Sequence, residues 1–139
     1  MFSQVRVSKN ALDYFRRQAR KNAPLEIQAY LAGNINTIDE VEVTDFYYTK
    51  VYHTQTNGSV AWNQEDFLRV KELAESQDKR IVGDIHSHPN WDAIMSKDDF
   101  DASVTQQLAI CGICSVYDKK TRVRFWTPNS SLKCKIIYT

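Results

Sequence analysis

The run from Arg80 to His88 is cut off by Pro89 and carries two of the chain's three histidines, His86 and His88, two positions apart. Its apolar and β-branched content reads as a strand, and proline, lacking the N–H a ladder needs, stops it. On an extended backbone, side chains two apart leave the same face, roughly 6.5 Å apart, so both imidazoles can converge on one ion at about 2.0–2.1 Å. Ser96 and Asp99 follow. If a helix opens at Ser96, Asp99 sits in its first turn and can turn its carboxylate back toward the strand end. Two imidazoles, a carboxylate and a fourth position for water make up a catalytic zinc donor set. Ser96-x-x-Asp99 also has an ordinary reading as a helix-capping pair, and both readings stay open.

The rest of the chain alternates strand-like and helix-like segments. Val5 and Val7 alternate with polar neighbours. Ser8 is then a plausible N-cap for a helix whose Leu12, Phe15 and Ala19 share a face, ending near Asn22 ahead of Pro24. Leu25 to Ala32 reads as a buried strand closing at Gly33-Asn34, and Val41 to Val51 as a second strand. After the turn at Asn57-Gly58, Ser59 to Trp62 suits a short strand and Gln64 to Gln77 an amphipathic helix. Beyond the histidines, a helix is expected from Ser96 to about Gln107. Two strands, Leu108 to Tyr117 and Arg122 to Trp126, are expected around a turn at Asp118-Lys119-Lys120. Interleaved strands and helices imply an α/β class, a mixed sheet with helices packed on its faces.

At 139 residues, without repeats or a Pro/Gly/Ser linker, one domain spanning 1–139 is expected. Lys and Arg number 18 against 17 Asp and Glu, a net charge of +1. That balance argues against nucleic-acid or membrane-surface binding driven by bulk charge, which needs a basic excess. No stretch approaches the roughly 18 apolar residues of a membrane span, and none has signal-peptide form. The three cysteines, Cys111, Cys114 and Cys134, are too few and odd in number for a disulfide framework, so a cytoplasmic protein with reduced thiols is expected.

With these residues in view, Val82 to Asp99 resembles the JAMM (MPN+) metalloprotease motif. That motif is a Glu upstream of His-x-His-Pro, with Ser-x-x-Asp beginning eight positions after the second His. Leu25 to Gly33 is similar to the family's first core strand, in which a Glu precedes a small and apolar run ending in Gly. The resemblance implies the JAMM/MPN fold, a mixed central sheet flanked by helices in a cytidine-deaminase-like architecture. It implies that His86, His88 and Asp99 bind one zinc ion, that Glu26 is the general acid/base and that Ser96 helps hold the oxyanion. The residue types suit that chemistry: zinc lowers the pKa of bound water from about 15.7 to about 7, and a carboxylate can shuttle the proton to a departing amine. Deamination itself is disfavoured, because His-x-Glu followed by Pro-Cys-x-x-Cys is missing.

Some residues depart from the pattern or leave a choice. Asp84 stands where the family more often has an aromatic residue or Thr, and by the period of two it shares a face with His86 and His88. It is either a partner that fixes an imidazole or a solvated acid at the strand end. Cys111 and Cys114, three apart in a strand, point to opposite faces and read as core residues rather than a shared site. His53 reads as a surface residue. The loop Asn90 to Met95 carries Trp91, Ile94 and Met95, either a rim that grips a peptide tail or anchors folded inward.

The resemblance implies a zinc-dependent peptidase or isopeptidase acting at the C-terminal tail of ubiquitin, a ubiquitin-like protein or a sulfur carrier. Insertions that select chain linkage in some members have no room here, so a minimal catalytic domain is expected. Two other outcomes stay open: a non-catalytic MPN-type scaffold, and a zinc hydrolase of small peptides or amides.

Overall fold

The computed structural model of the chain describes residues 2–49, 54–55, 60–61, 64–89, 108–117, 120–128 and 133–139. Among them are strands β1 (Gln4–Val7), β2 (Gln28–Ile35), β3 (Glu40–Tyr48), β4 (Thr54–Gln55), β5 (Val60–Ala61), β6 (Arg80–His88), β7 (Ile110–Tyr117), β8 (Lys120–Trp126) and β9 (Lys133–Tyr138). Two helices are described, α1 (Lys9–Asn22) and α2 (Gln64–Ser76). The expected helix from Ser96 and the turn at Asn57-Gly58 lie outside the described residues.

Helix α1 begins where its cap predicts. The Ser8 hydroxyl accepts the Ala11 N–H at 3.2 Å, with Ser8 itself extended, and Arg20 and Lys21 complement the dipole in the last turn. Leu12, Phe15 and Ala19 are buried on one side. They join a single apolar cluster with Val5 and Val7 of β1, Ala29 and Leu31 of β2, Val41 and Val43 of β3, Ile85 of β6, Ile110 and Cys114 of β7, and Phe125 of β8. That cluster is the inner face of the sheet.

The sheet is mixed, as expected, and it closes on itself in the order β1-β3-β2-β6-β7-β8-β9. Closure is made by β1, which pairs in parallel with both β3 and β9, Val5 lying opposite Val41 on one side and Ile136 on the other. The picture of a central sheet with helices on its flanks is matched in part: the described helices pack on its two sides, α1 against the inner apolar side and α2 against the outer side of β2 and β6, while the sheet itself is closed. On that outer side the rings of Tyr30 and Phe67 meet with centroids 5.2 Å apart. Strand β9 has no counterpart in the sequence reading.

Boundaries also differ: β8 begins at Lys120, where a turn is expected, rather than at Arg122. The second strand begins at Gln28 rather than Leu25 and runs through Gly33-Asn34 to Ile35 instead of closing there. Gly33 is not a turn residue but a point of close approach, since a Cβ on it would lie 1.8 Å from the Glu42 carbonyl oxygen of β3. Register shifts on either side of Ala32 skip Val82 of β6 and Thr44 of β3, so the extra residue of each bulge lies in the neighbouring strand and not in β2.

Candidate metal centre

Strand β6 lies between β2 and β7, antiparallel to the first and parallel to the second. Its inward residues include Ile85, in the core, and the fully buried Ser87. The period of two therefore sends Asp84, His86 and His88 out on the opposite face. Across β2, His86 faces Gln28 and Asp84 faces Tyr30; across β7, Asp84 faces Cys111, His86 faces Ile113 and His88 faces Ser115.

The two imidazoles converge. Their Nε2 atoms are 3.1 Å apart, with ring centroids at 4.9 Å and planes 57° apart. Glu26, just ahead of β2, comes to the same place: one ligand atom each from Glu26, His86 and His88 lies within 4.8 Å of the others. Glu26 and His86 are buried, and His88 is partly exposed.

What brings Glu26 there is its neighbour. The Ile27 N–H donates to the Ser87 hydroxyl at 2.9 Å and the Ser87 N–H donates to the Ile27 carbonyl at 3.0 Å, tying the start of β2 to the residue between the two histidines. Nothing local in the sequence announces this pairing.

The donor set fits a zinc ion. Two atoms roughly 2.0–2.1 Å from one tetrahedral ion stand about 3.3 Å apart, close to the Nε2 separation seen here. The same separation suits an N–H···N hydrogen bond in the metal-free pair. Both readings require the two rings to face each other, which they do.

Asp84 is the second feature of this face. It is only 8% exposed, which overturns the reading of a solvated strand-end acid. Its Oδ2 accepts the Gln28 side-chain amide at 3.1 Å, and Gln28 is itself fixed by Thr49, whose hydroxyl donates to its Oε1 at 3.1 Å and whose N–H donates to its carbonyl at 3.1 Å. That same Oδ2 lies 3.9 Å from His86 Nδ1. Asp84, His86 and Cys111 also bring ligand-type atoms within 4.8 Å of one another. Gln28 and Thr49 were not found by sequence reasoning, because only strand register makes them neighbours of Asp84.

Cys111 and Cys114 are both buried and fall on opposite faces, Cys111 with Ile113 and Trp126 and Cys114 in the main core. Burial pushes the Cys114 thiol up to about 12 against the opposing influence of Arg16, Arg20 and His86. Of the residues expected in the site, Ser96 and Asp99 lie outside the described residues, as do His53 and the loop Asn90 to Met95.

A family profile described as prokaryotic homologs of the JAB domain matches residues 8–129. COP9 signalosome complex subunit 5 of Gibberella zeae is 29% identical over 110 residues, a match covering 76% of this chain and 32% of that protein. The chain thus spans about a third of that relative's length. A solution structure of a protein from Desulfitobacterium hafniense superimposes with a TM-score of 0.77 at 19% identity, covering 97% of this chain and 92% of the other. The crystal structure of a JAB1/MPN domain protein from Archaeoglobus fulgidus gives 0.61 at 16% identity, covering 97% and 99%. At such identities the structural likeness speaks for the fold.

Proposed function

The chain belongs to the family of prokaryotic homologs of the JAB domain, and we propose that within it this chain acts as a zinc-dependent peptidase or isopeptidase. JAB/MPN domains include both zinc isopeptidases and non-catalytic members, so the choice between them rests on the site. The observation that carries the enzymatic reading is the meeting of Glu26, His86 and His88 within 4.8 Å.

In this reading His86, His88 and Asp99 hold one zinc ion, which when bound acidifies water and polarises an amide carbonyl. Glu26 takes a proton from the attacking water and delivers it to the departing amine. Its burial keeps competing solvent from its carboxylate, and the double tie between Ile27 and Ser87 sets where it stands. Ser96 donates its hydroxyl to the carbonyl oxygen as negative charge develops there. The substrate is the amide bond at the C-terminal tail of a ubiquitin-like or sulfur-carrier protein, met in the cytoplasm.

Zinc content of the purified protein and cleavage of ubiquitin-like fusions test the proposal together. The expected result is one zinc per chain and tail cleavage. Glu26→Gln should keep the metal while losing about 10²–10⁴-fold in turnover, and His88→Ala should lose the metal. Full activity in either variant would overturn the assignment. Folded protein that takes up no zinc would make this chain a scaffold, and cleavage confined to short peptides would move the substrate to small amides.

A further inference from the structure

We infer that Asp84 is a positioning residue for His86, the acceptor that orients its imidazole from behind while the opposite ring nitrogen faces the metal; the inference rests on the zinc reading proposed above. The two nitrogens of His86 look in different directions. Nε2 faces His88 Nε2 at 3.1 Å, whereas Nδ1 faces Asp84 Oδ2 at 3.9 Å. Asp84 thus stands beside a different ring nitrogen from the one that meets His88. The 3.9 Å separation is about 1 Å longer than an ordinary N–H···O bond, so a small shift of either side chain makes the contact.

The carboxylate is prepared for that role. It is buried, its Oδ2 is held by Gln28 and through Gln28 by Thr49, and its Oδ1 has no hydrogen-bond partner among the described residues. A buried carboxylate so incompletely satisfied is costly unless a positive group stands beside it, and an imidazole bound to a dication supplies one. A metal-ligating histidine almost always passes its other N–H to a carboxylate, carbonyl or water, which fixes the tautomer and strengthens the ligand. Tethering Asp84 through Gln28 of β2 to Thr49, just beyond β3, holds that acceptor in place in a way a strand-end acid is not. Cys111, its neighbour on β7, is the competing candidate, since a thiolate there would make Asp84 and Cys111 ligands in their own right.

The test compares the full chain with Asp84→Asn, whose side chain keeps an oxygen for Gln28 and offers Nδ1–H no anionic acceptor. Zinc affinity is read by chelator competition and the coordination by the visible spectrum of the cobalt-substituted protein. A 10–100-fold weaker zinc affinity with a shifted cobalt spectrum is expected, without loss of thermal stability in the metal-free protein. Gln28→Met, which removes the tether and leaves Asp84 itself in place, should give a smaller loss in the same direction. Unchanged affinity and spectrum in Asp84→Asn would overturn the role. So would a loss as complete as in His88→Ala, or a sulfur-to-cobalt band that vanishes in Cys111→Ser, since either makes this group ligating. Wild-type protein that binds neither zinc nor cobalt would instead refute the metal reading itself.

Discussion

Ser87 and Ile27 are joined twice, once through the Ser87 side chain and once through its backbone, at 2.9 and 3.0 Å. This pair spans 60 residues of sequence and places Glu26 beside the histidines that flank Ser87.

Ser87→Ala removes the hydroxyl that accepts the Ile27 N–H and leaves that donor unsatisfied in a buried place. A loss of about 1–3 kcal/mol is expected in urea unfolding. Zinc content should persist, because His86 and His88 stay on β6, while turnover on a tail fusion falls with little change in KM. An unfolding midpoint equal to that of the wild type would show that the bond carries no weight.

Gly83 packs β6 directly on β7. A Cβ there would lie 2.4 Å from the Ile110 carbonyl oxygen and 2.6 Å from its side chain. Since the obstruction includes backbone, Gly83→Ala can be accommodated only by moving the strands apart, and about 1–3 kcal/mol of destabilisation or more is expected. The displacement should also reach the histidines, so zinc affinity is the second measurement. A variant of wild-type stability and affinity would contradict the close packing.

Glu40 links β1 and β3 away from the site. Hydrogen bonds from Arg6 first and Asn36 next, with Gln4 assisting, hold its carboxyl at about 2, well below the usual 4.5, against the opposing effect of burial. A carboxyl whose folded value is depressed lends stability that is fully present above its unfolded value and is lost as the pH falls through the folded one. The protein should therefore lose stability between about pH 4.5 and pH 2, and Glu40→Gln should be less stable at pH 7 with a flatter slope in that window. Denaturant midpoints at pH 7 and pH 3 for both proteins decide it; parallel acid losses would remove Glu40 as a source.

The three cysteines are free and buried. Burial pushes Cys114 up to about 12 and also raises Cys134, so neither forms an appreciable thiolate near neutrality. A disulfide-exchange dye at pH 8 should find no quickly reacting thiol among the three in the native protein and all of them in denaturant. Rapid consumption of one equivalent by folded protein would place a cysteine in a reactive setting.

What the sequence by itself determined is local. Ser8 and the spacing of Leu12, Phe15 and Ala19 specify α1, because a helix depends on neighbours within one or two turns. The alternation ending at Pro89 puts His86 and His88 on one face, because the strand period is two wherever the strand goes. Glu26 was assigned by family resemblance, since its own neighbours in the chain do not distinguish it from other glutamates. What only the tertiary structure decided is everything that depends on register: that Glu26 meets the histidines, that Gln28 and Thr49 stand behind Asp84, and that β9 pairs with β1 to close the sheet. Gly33 and Asn34 read locally as a turn, yet the strand runs through them because they pair with Val43 and Glu42 of β3, which comes too close at Gly33 for a side chain. Register is chosen by the sum of contacts between segments far apart in the chain, and no single segment carries that sum.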